Sequence, residues 1–408
     1  MRALTLPLDD PRLGALADAS LDDIAGAEGV LFVRDRIGIA GRGVALTVDA
    51  HCAADTLARL SHDCRVSGVH PLAIGAIPFE PGGRAELTVP AATVHRRDDG
   101  LRALTLVADD PDALLAELLD SGALAPVPAP LPRAQEFTIR PSTPIDRYLA
   151  AVAAARNAVR AGTLTKAVIA REIEVTSPEP IDVHAVLLRL RATFGRSHRY
   201  SIDGLVGASP ELLVEVRGST VRSHPLAGTT PRTGDPDTDR RAAAELVASE
   251  KNQIEHRVVI DMIHDTLLPW CSYLDWEPEA SIVSVANVQH LGTAMEGRLS
   301  EPRPDVVELV AALSPTPALG GFPRREALEL IAAVEGFRRG RYGGAVGWVD
   351  AAGDGTWAVT IRCAEFTADR TRARLVAGGG IVAASEPLAE LAETQAKLQA
   401  MLSAIVRA

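Results

Sequence analysis

The stretch RARLVAGGGIVAASEPLAELAETQAK, residues 372–397, joins three local patterns that bear on both fold and chemistry. Arg372–Val376 alternates like a half-buried strand, and Pro387 suits the first turn of a helix. Between them, Ala377–Val382 carries three consecutive glycines, which would let bare backbone approach a ligand and direct amide N–H groups at a carboxylate. A plain turn is the simpler interpretation of the glycines.

The helix that begins near Pro387 carries charged and apolar side chains on separate faces. At about 100° per residue, Glu390, Glu393 and Lys397 fall within about 60° of one another. By pattern alone this face is either solvated, with Glu393 and Lys397 as an i,i+4 pair, or part of a site. The apolar stripe is predicted to pack on the core and contains Leu388, Leu391, Leu398, Met401, Leu402 and Ile405.

Other periodic stretches precede this one, and they mix helices with strands. Residues 126–132 are proline-rich and resist regular structure, so they are the best linker candidate and divide the chain into 1–132 and 133–408. The predicted elements beyond this linker are a helix at 144–161, a strand at 165–175, a hairpin of 212–216 and 220–224, one long helix at 241–267 and a strand at 355–367.

Composition excludes several classes of protein. Of the 408 residues 47% are hydrophobic and 23% charged, and the net charge of −11 is spread along the chain, which speaks against nucleic acid or an anionic membrane as the main partner. No stretch approaches the roughly 18 apolar residues of a membrane span, and the first residues do not form a signal peptide, so we expect a cytoplasmic protein. The cysteines show no CxxC spacing and are predicted to be buried thiols: Cys52, Cys64, Cys271 and Cys363.

Three residues are candidates for acid–base chemistry, each with a simpler alternative. Lys166 has apolar neighbours, and desolvation would fit it as a general base, whereas a strand-edge lysine would keep its head in water. Glu211 stands at the start of a hydrophobic strand, where burial would favour its protonated form and a general-acid role over that of an exposed turn residue. His290 is flanked by apolar residues without any HExxH spacing, as a structural histidine would be.

A second acidic helix face occurs at Asn252 and Glu255, which are three residues apart. Alone it is an ordinary helix surface. Together with the glutamates after Pro387, however, it could supply oxygen ligands to a hard divalent cation such as magnesium, which needs few protein carboxylates. No glycine-rich nucleotide motif accompanies these residues.

Taken in order, these motifs resemble the chorismate-binding family, which includes isochorismate, salicylate, anthranilate and aminodeoxychorismate synthases. The resemblance covers roughly residues 140–405. The segments that carry it are 166–171 (KAVIAR), 207–213 (GASPELL), 225–232 (PLAGTTPR), 249–256, 288–291 (VQHL), 314–321 (SPTPALGG), 341–344 (RYGG), 361–364 (IRCA), 377–382 and 385–397.

The resemblance implies an α+β fold, a large antiparallel-sheet scaffold with surrounding helices and a central active-site cleft, with residues 1–132 a diverged part of that scaffold. It also implies a Mg²⁺-dependent isochorismate synthase that acts on chorismate without a glutaminase subunit, as a monomer or weak homo-oligomer. Salicylate synthase and a catalytically silent chorismate-binding protein are the alternatives, and the sequence leaves open a menaquinone or a siderophore pathway.

The resemblance further implies roles for individual residues. Lys166 would be the general base and Glu211 the general acid, with His290 in the catalytic group. Asn252 stands where relatives usually have an acid, which predicts weaker metal binding. The implied metal site consists of Glu255 and Glu393, assisted by Glu390 and Asn252, and the implied substrate contacts are Gly228, Thr229, Tyr342, Arg362, Gly378, Gly379, Gly380 and Lys397.

Overall fold

The computed structural model describes residues 1–131, 133–285 and 288–407, apart from the side chain of Lys251. Pro132, the last residue of the predicted linker, lies outside the described residues, and the domain boundary there stays a prediction. The helices are α1 (Gly14–Asp18), α2 (Leu21–Ala25), α3 (Ala53–Ala58), α4 (Pro111–Asp120), α5 (Ile145–Arg160), α6 (Val183–Phe194), α7 (Pro236–Ala248), α8 (Glu250–Leu267), α9 (Val306–Leu313), α10 (Arg324–Val334) and α11 (Pro387–Val406).

The strands come from the whole length of the described chain. They are β1 (Arg2–Pro7), β2 (Val30–Arg34), β3 (Ile37–Arg42), β4 (Leu46–Asp49), β5 (Ser61–Cys64), β6 (Leu72–Ile77), β7 (Glu86–Val89), β8 (Ala92–Arg96), β9 (Arg102–Ala108), β10 (Thr138–Pro141), β11 (Lys166–Thr176), β12 (His198–Ile202), β13 (Leu205–Ser209), β14 (Leu212–Arg217), β15 (Thr220–His224), β16 (Leu226–Pro231), β17 (Cys271–Trp276), β18 (Ser281–Ser284), β19 (Val288–Gly292), β20 (Met295–Leu299), β21 (Gly321–Phe322), β22 (Ala345–Asp350), β23 (Gly355–Val359), β24 (Cys363–Phe366) and β25 (Arg372–Ile381).

Within the described residues these strands form two large sheets and one small sheet. The first has 13 strands in the order β10-β11-β25-β24-β13-β12-β2-β3-β8-β9-β1-β5, with β21 paired to β11. The second has nine strands in the order β17-β20-β15-β14-β23-β22-β6-β7-β4, and the third joins β16, β19 and β18. The β1–β5 pair is parallel, whereas the pairs that surround the site described below are antiparallel. The predicted α+β scaffold is thus confirmed.

The inner strands of the 13-stranded sheet are buried on both faces, so they carry buried side chains at successive positions rather than at every second one. In β2, Phe32 belongs to a core that also contains Ile74 and Trp357 of the nine-stranded sheet. Its neighbour Leu31 points the opposite way, into a second core with residues of α6 and α11. The two large sheets therefore share one core, and helices cover the other face of the larger sheet.

Strands from both sides of residue 132 pair with each other in both large sheets. In the larger sheet, β2 pairs with β12 through Tyr200 and Phe32. In the smaller sheet, β6 pairs with β22 through Ile74 and Trp348. No helix among the described residues is long and apolar enough to cross a membrane.

Two predicted elements differ from the structure, and the alternative interpretation of the glycine run is excluded. The long helix at 241–267 is wrong, because extended Ser249 ends α7 and its hydroxyl accepts from Asn252 N–H to cap α8. The strand at 355–367 is also wrong, since the chain leaves the nine-stranded sheet after β23 and enters the larger sheet at β24, with Arg362 at φ +54° between them. The glycine run is part of strand β25 and not a turn.

Two burial predictions need correction as well. Leu388, placed on the apolar stripe of α11, is 71% exposed because it lies in the first turn, before the helix reaches the core. The rest of the stripe packs on the cores. Cys363 is buried as predicted, but Cys52 and Cys64 are exposed and Cys271 is intermediate. Cys52 directly precedes α3, and Cys64 is the last residue of β5, which is an edge strand of the larger sheet.

Candidate active site

The predicted site residues come together around one cavity of about 170 Å³, where β11, β25, β16, β19, α8 and α11 converge. Gly379 and Glu390 do not line it, and all the other predicted site residues do. The lining residues are Lys166, Val168, Pro210, Glu211, Leu226, Ala227, Gly228, Thr229, Asn252, Glu255, His290, Ala318, Leu319, Tyr342, Ile361, Arg362, Val376, Ala377, Gly378, Gly380, Glu393 and Lys397.

Lys166 is the first residue of β11 and is only 1% exposed, so the solvated strand-edge alternative is excluded. Its ammonium Nζ lies 2.8 Å from Oε1 of Glu255 on α8. Burial of an unpaired ammonium is costly, and this contact compensates for it. Strand β11 and helix α8 thereby meet at one end of the cavity.

Glu211 lies in the short connection between β13 and β14 and is 3% exposed. Desolvation raises the pKa of its carboxyl group from 4.5 to about 7 and outweighs the lowering effects of the Leu226 N–H and of Lys166. The Leu226 N–H donates to Oε1 at 3.4 Å, which holds the carboxyl group toward the cavity. Near neutral pH Glu211 can therefore hold a proton and donate it, as the sequence predicts for an acid.

Strand β25 presents bare glycine backbone to the cavity. Gly378, Gly379 and Gly380 pair with β11, whereas β24 covers β25 only as far as Leu375. Beyond Leu375, β24 does not pair with this edge of β25. Lys397 Nζ contacts the edge there and donates to the Gly378 carbonyl at 2.8 Å. The same Nζ lies 2.6 Å from Oε1 of Glu393, so α11 is docked on this edge through a charged pair.

Two of these glycines leave room beside carboxylates that a side chain would fill. A Cβ on Gly380 would lie 2.2 Å from Oε1 of Glu255, and one on Gly379 would lie 2.8 Å from Oε2 of Glu390. Carboxylate oxygens therefore border this space, and such oxygens are the ligands that suit a hard cation. Among the residues described, no three His, Cys, Asp or Glu side chains form a group able to hold a metal. A magnesium ion, which keeps waters or substrate oxygens, needs only one or two carboxylates and fits the donors Glu255 and Glu393.

Another part of the cavity surface is formed by Arg362, Tyr342 and His290. Burial lowers the pKa of Arg362 to about 10 and raises that of Tyr342 to about 12, so at neutral pH the first is charged and the second is neutral. A charged guanidinium with five N–H donors suits a carboxylate. The Arg362 Nη2 group also donates to His290 Nε2 at 3.3 Å.

Sequence patterns missed a buried arginine that supports the cavity wall. Arg339 is 1% exposed and donates to the carbonyls of Val168 and Leu319, both of which line the cavity. Its charge is balanced by Glu335, which also accepts from the Ala170 N–H at 2.7 Å. The Arg-Gly dipeptide at residue 339 was the available signal, but a lone arginine in a sequence does not reveal that it is buried.

Comparisons with known proteins identify the family of this chain. A family model described as chorismate binding enzyme matches residues 55–406. Isochorismate synthase DhbC of Bacillus subtilis is 38% identical over 82% of this chain and 81% of its own length. Isochorismate synthase EntC of Escherichia coli K12 is 34% identical over 85% of this chain and 84% of its own length. The solved structure of MenF, the menaquinone-specific isochorismate synthase of Escherichia coli, has the same fold, with a TM-score of 0.83 and 23% identity over 99% of this chain and 94% of the other.

Proposed function

The chain belongs to the chorismate-binding enzyme family, and we propose that it is an isochorismate synthase, an isomerase that moves a hydroxyl group on the chorismate ring with water as the nucleophile. The relatives named isochorismate synthases support this reaction. The observation that carries the proposal is that Lys166 and Glu211 line the same cavity, one as a buried amine and the other as a buried carboxyl group with its pKa raised to about 7.

The proposed reaction balances without an oxidant or a reductant. Water forms the new C–O bond at ring position 2, the C–O bond at position 4 breaks, and the double bonds shift between them. In the proposed step Lys166 is in its neutral amine form and takes a proton of the attacking water, and Glu211 gives its proton to the departing hydroxyl group. A buried carboxyl group with a pKa of about 7 is matched to this role near neutral pH.

Substrate binding is proposed to use further residues that line the same cavity. Arg362 and Tyr342, together with the backbone of Gly378 and Gly380, would bind the enolpyruvyl carboxylate, and Gly228 and Thr229 would line the ring. All of these residues lie on the cavity surface. A planar guanidinium pairs with a carboxylate through two parallel hydrogen bonds, which orients as well as binds it.

Magnesium is proposed as the cofactor. Glu255 and Glu393 would hold it, and Asn252 and Glu390 would assist through water. When bound, the ion would neutralise the carboxylate on the ring. Both glutamates line the cavity, where Glu255 contacts Lys166 and Glu393 contacts Lys397.

The test is to incubate the purified protein with chorismate and magnesium and to identify the products by chromatography and mass spectrometry. We expect isochorismate with little salicylate. Dominant salicylate together with pyruvate would mean that the enzyme carries out the second elimination and is a salicylate synthase. Unchanged chorismate in spite of measurable binding would indicate a silent chorismate-binding protein. The control is the Lys166→Ala protein, purified in the same way.

A further inference from the structure

His290 has both ring nitrogens engaged in hydrogen bonds. Nδ1 lies 3.1 Å from the carbonyl oxygen of Gly228 and 3.1 Å from Oγ1 of Thr229. Because a carbonyl only accepts, Nδ1 carries the proton, and Nε2 is left with its lone pair. The Arg362 Nη2 group, which only donates, lies 3.3 Å from that lone pair. The ring is therefore held as one neutral tautomer.

The local backbone fixes this arrangement. In the β16–β19 pair, Ala227 faces Leu291 and Thr229 faces His290, so Gly228 is an extra residue without a cross-strand partner. Gly228 has φ +70°, which a glycine adopts without strain, and its carbonyl points at the imidazole of His290. A bulge thus supplies the acceptor that selects the tautomer.

Burial acts in the same direction. His290 is 6% exposed, and desolvation together with the Arg362 charge lowers the pKa of its ring to about 3. Protonation of Nε2 would also place a donor against the guanidinium and break the contact with Arg362. Proton transfer through this nitrogen is therefore opposed by the geometry as well as by the burial.

Arg362 needs such a partner to hold its orientation. It follows β23 at the point where the chain crosses between the two large sheets, and its backbone has φ +54°. The side chain is long and rotamer-rich, so an acceptor that fixes one N–H reduces the conformational freedom lost when a ligand binds. With that N–H on His290, further N–H donors of the guanidinium remain for a carboxylate in the cavity.

We infer that His290 is a positioning residue that holds the Arg362 guanidinium in the orientation that receives the substrate carboxylate, and that it transfers no proton itself. The inference rests on the proposed function, because the carboxylate is taken to be that of chorismate. It replaces the catalytic role that the sequence resemblance implied for His290.

Two substitutions separate the two roles. His290→Gln keeps an acceptor near the Nε2 position, whereas His290→Asn keeps a donor near Nδ1 and is too short to reach Arg362. A positioning role predicts that Asn raises KM for chorismate by about 10-fold or more with kcat within about threefold, and that Gln leaves KM within about threefold. An acid–base role predicts that both variants lower kcat by about 10²-fold without a change in KM, which would overturn the inference.

The Arg362→Lys background supplies a second test that does not depend on the folding of one variant. If His290 acts through Arg362, the Asn substitution in that background changes KM by less than about threefold, because the guanidinium that His290 orients is no longer present. An effect on KM of the same size as in the wild-type background would contradict the inference. The pH profile of kcat/KM should keep its shape in His290→Gln, and the loss of a limb would also contradict the inference.

Chorismate binding measured by calorimetry in a chelator separates this inference from the proposed function. If the wild-type protein binds chorismate but makes no isochorismate, and binding weakens in His290→Asn but not in His290→Gln, the proposed function fails and the positioning role stands. If the wild-type protein makes isochorismate, and His290→Asn binds chorismate as tightly as the wild-type protein, the positioning role fails and the proposed function stands.

Discussion

Replacing Glu211 by Gln should stabilise the protein at alkaline pH while it removes activity. Burial raises the pKa of Glu211 from 4.5 to about 7, so the folded protein binds this proton more tightly than the unfolded chain does. The stabilisation from the protonated form is complete below pH 4.5 and is lost as the pH rises through about 7. At about 1.4 kcal/mol for each tenfold change in the proton-binding constant, the loss amounts to about 3 kcal/mol.

Glutamine is neutral at every pH and avoids this loss. The free energy of unfolding of each protein is measured by denaturant titration at about pH 5 and about pH 8.5. The value for Glu211→Gln minus the value for wild type should be about 2 to 3 kcal/mol larger at the higher pH. Turnover of the variant should fall by at least about 10²-fold, because it has no proton to donate. Wild-type turnover should decline as the pH rises above about 7, where Glu211 loses its proton.

The matched control is Glu245→Gln on α7, where the glutamate is exposed. It should shift stability equally at both pH values and leave turnover unchanged. Burial also raises the pKa of the Asp350 carboxyl group to about 7. Because Asp350 is present in the wild type and in both variants, its effect cancels from the difference in unfolding free energy. The reasoning is refuted if Glu211→Gln changes stability by the same amount at both pH values, or if the variant turns over chorismate at nearly the wild-type rate.

Four further substitutions should affect the same cavity. Lys166→Ala should lower turnover by at least about 10²-fold while the circular dichroism spectrum is kept, and a rate near wild type would exclude Lys166 as the base. Glu255→Gln and Glu393→Gln should each weaken magnesium binding in calorimetry and abolish activity, whereas full wild-type activity in a chelator would rule out the metal. Gly380→Ala places a methyl group 2.2 Å from Oε1 of Glu255 and 2.8 Å from Cε of Lys166, so turnover should fall. The control for the added methyl group is Gly14→Ala, whose new Cβ meets nothing within 4 Å. Equal rates in the two variants would contradict this prediction.

Much of the site could be predicted from sequence because its motifs are local. Lys166 begins a strand that was predicted to start one residue earlier, and α11 begins at the predicted Pro387. Their convergence, however, came from the family resemblance. Periodicity alone does not show that β11 pairs with β25, a strand about two hundred residues later in the chain. Contacts at this sequence separation depend on packing rather than on local preference.

The parts that failed are decided by tertiary context. By pattern alone the glycine run could also be a turn, yet it continues the strand beyond Val376 because β11 pairs with it along its length and no Cβ intrudes on Glu255 or Glu390. The alternation through Gly355–Thr367 reads as one strand, yet its two halves pair in different sheets. The contact between His290 and Arg362 joins β19 of the small sheet to the connection between β23 and β24, and no sequence pattern indicates it.

The central claim, that Lys166 activates a water molecule and Glu211 protonates the departing hydroxyl group, is tested most directly by running the reaction in water labelled with heavy oxygen. The account predicts isochorismate that carries one heavy oxygen atom, at the ring position 2 hydroxyl group, and predicts that neither Lys166→Ala nor Glu211→Gln forms this product at an appreciable rate. Isochorismate without the label would contradict the account, because the hydroxyl group would then have migrated within the substrate and no water would have been activated.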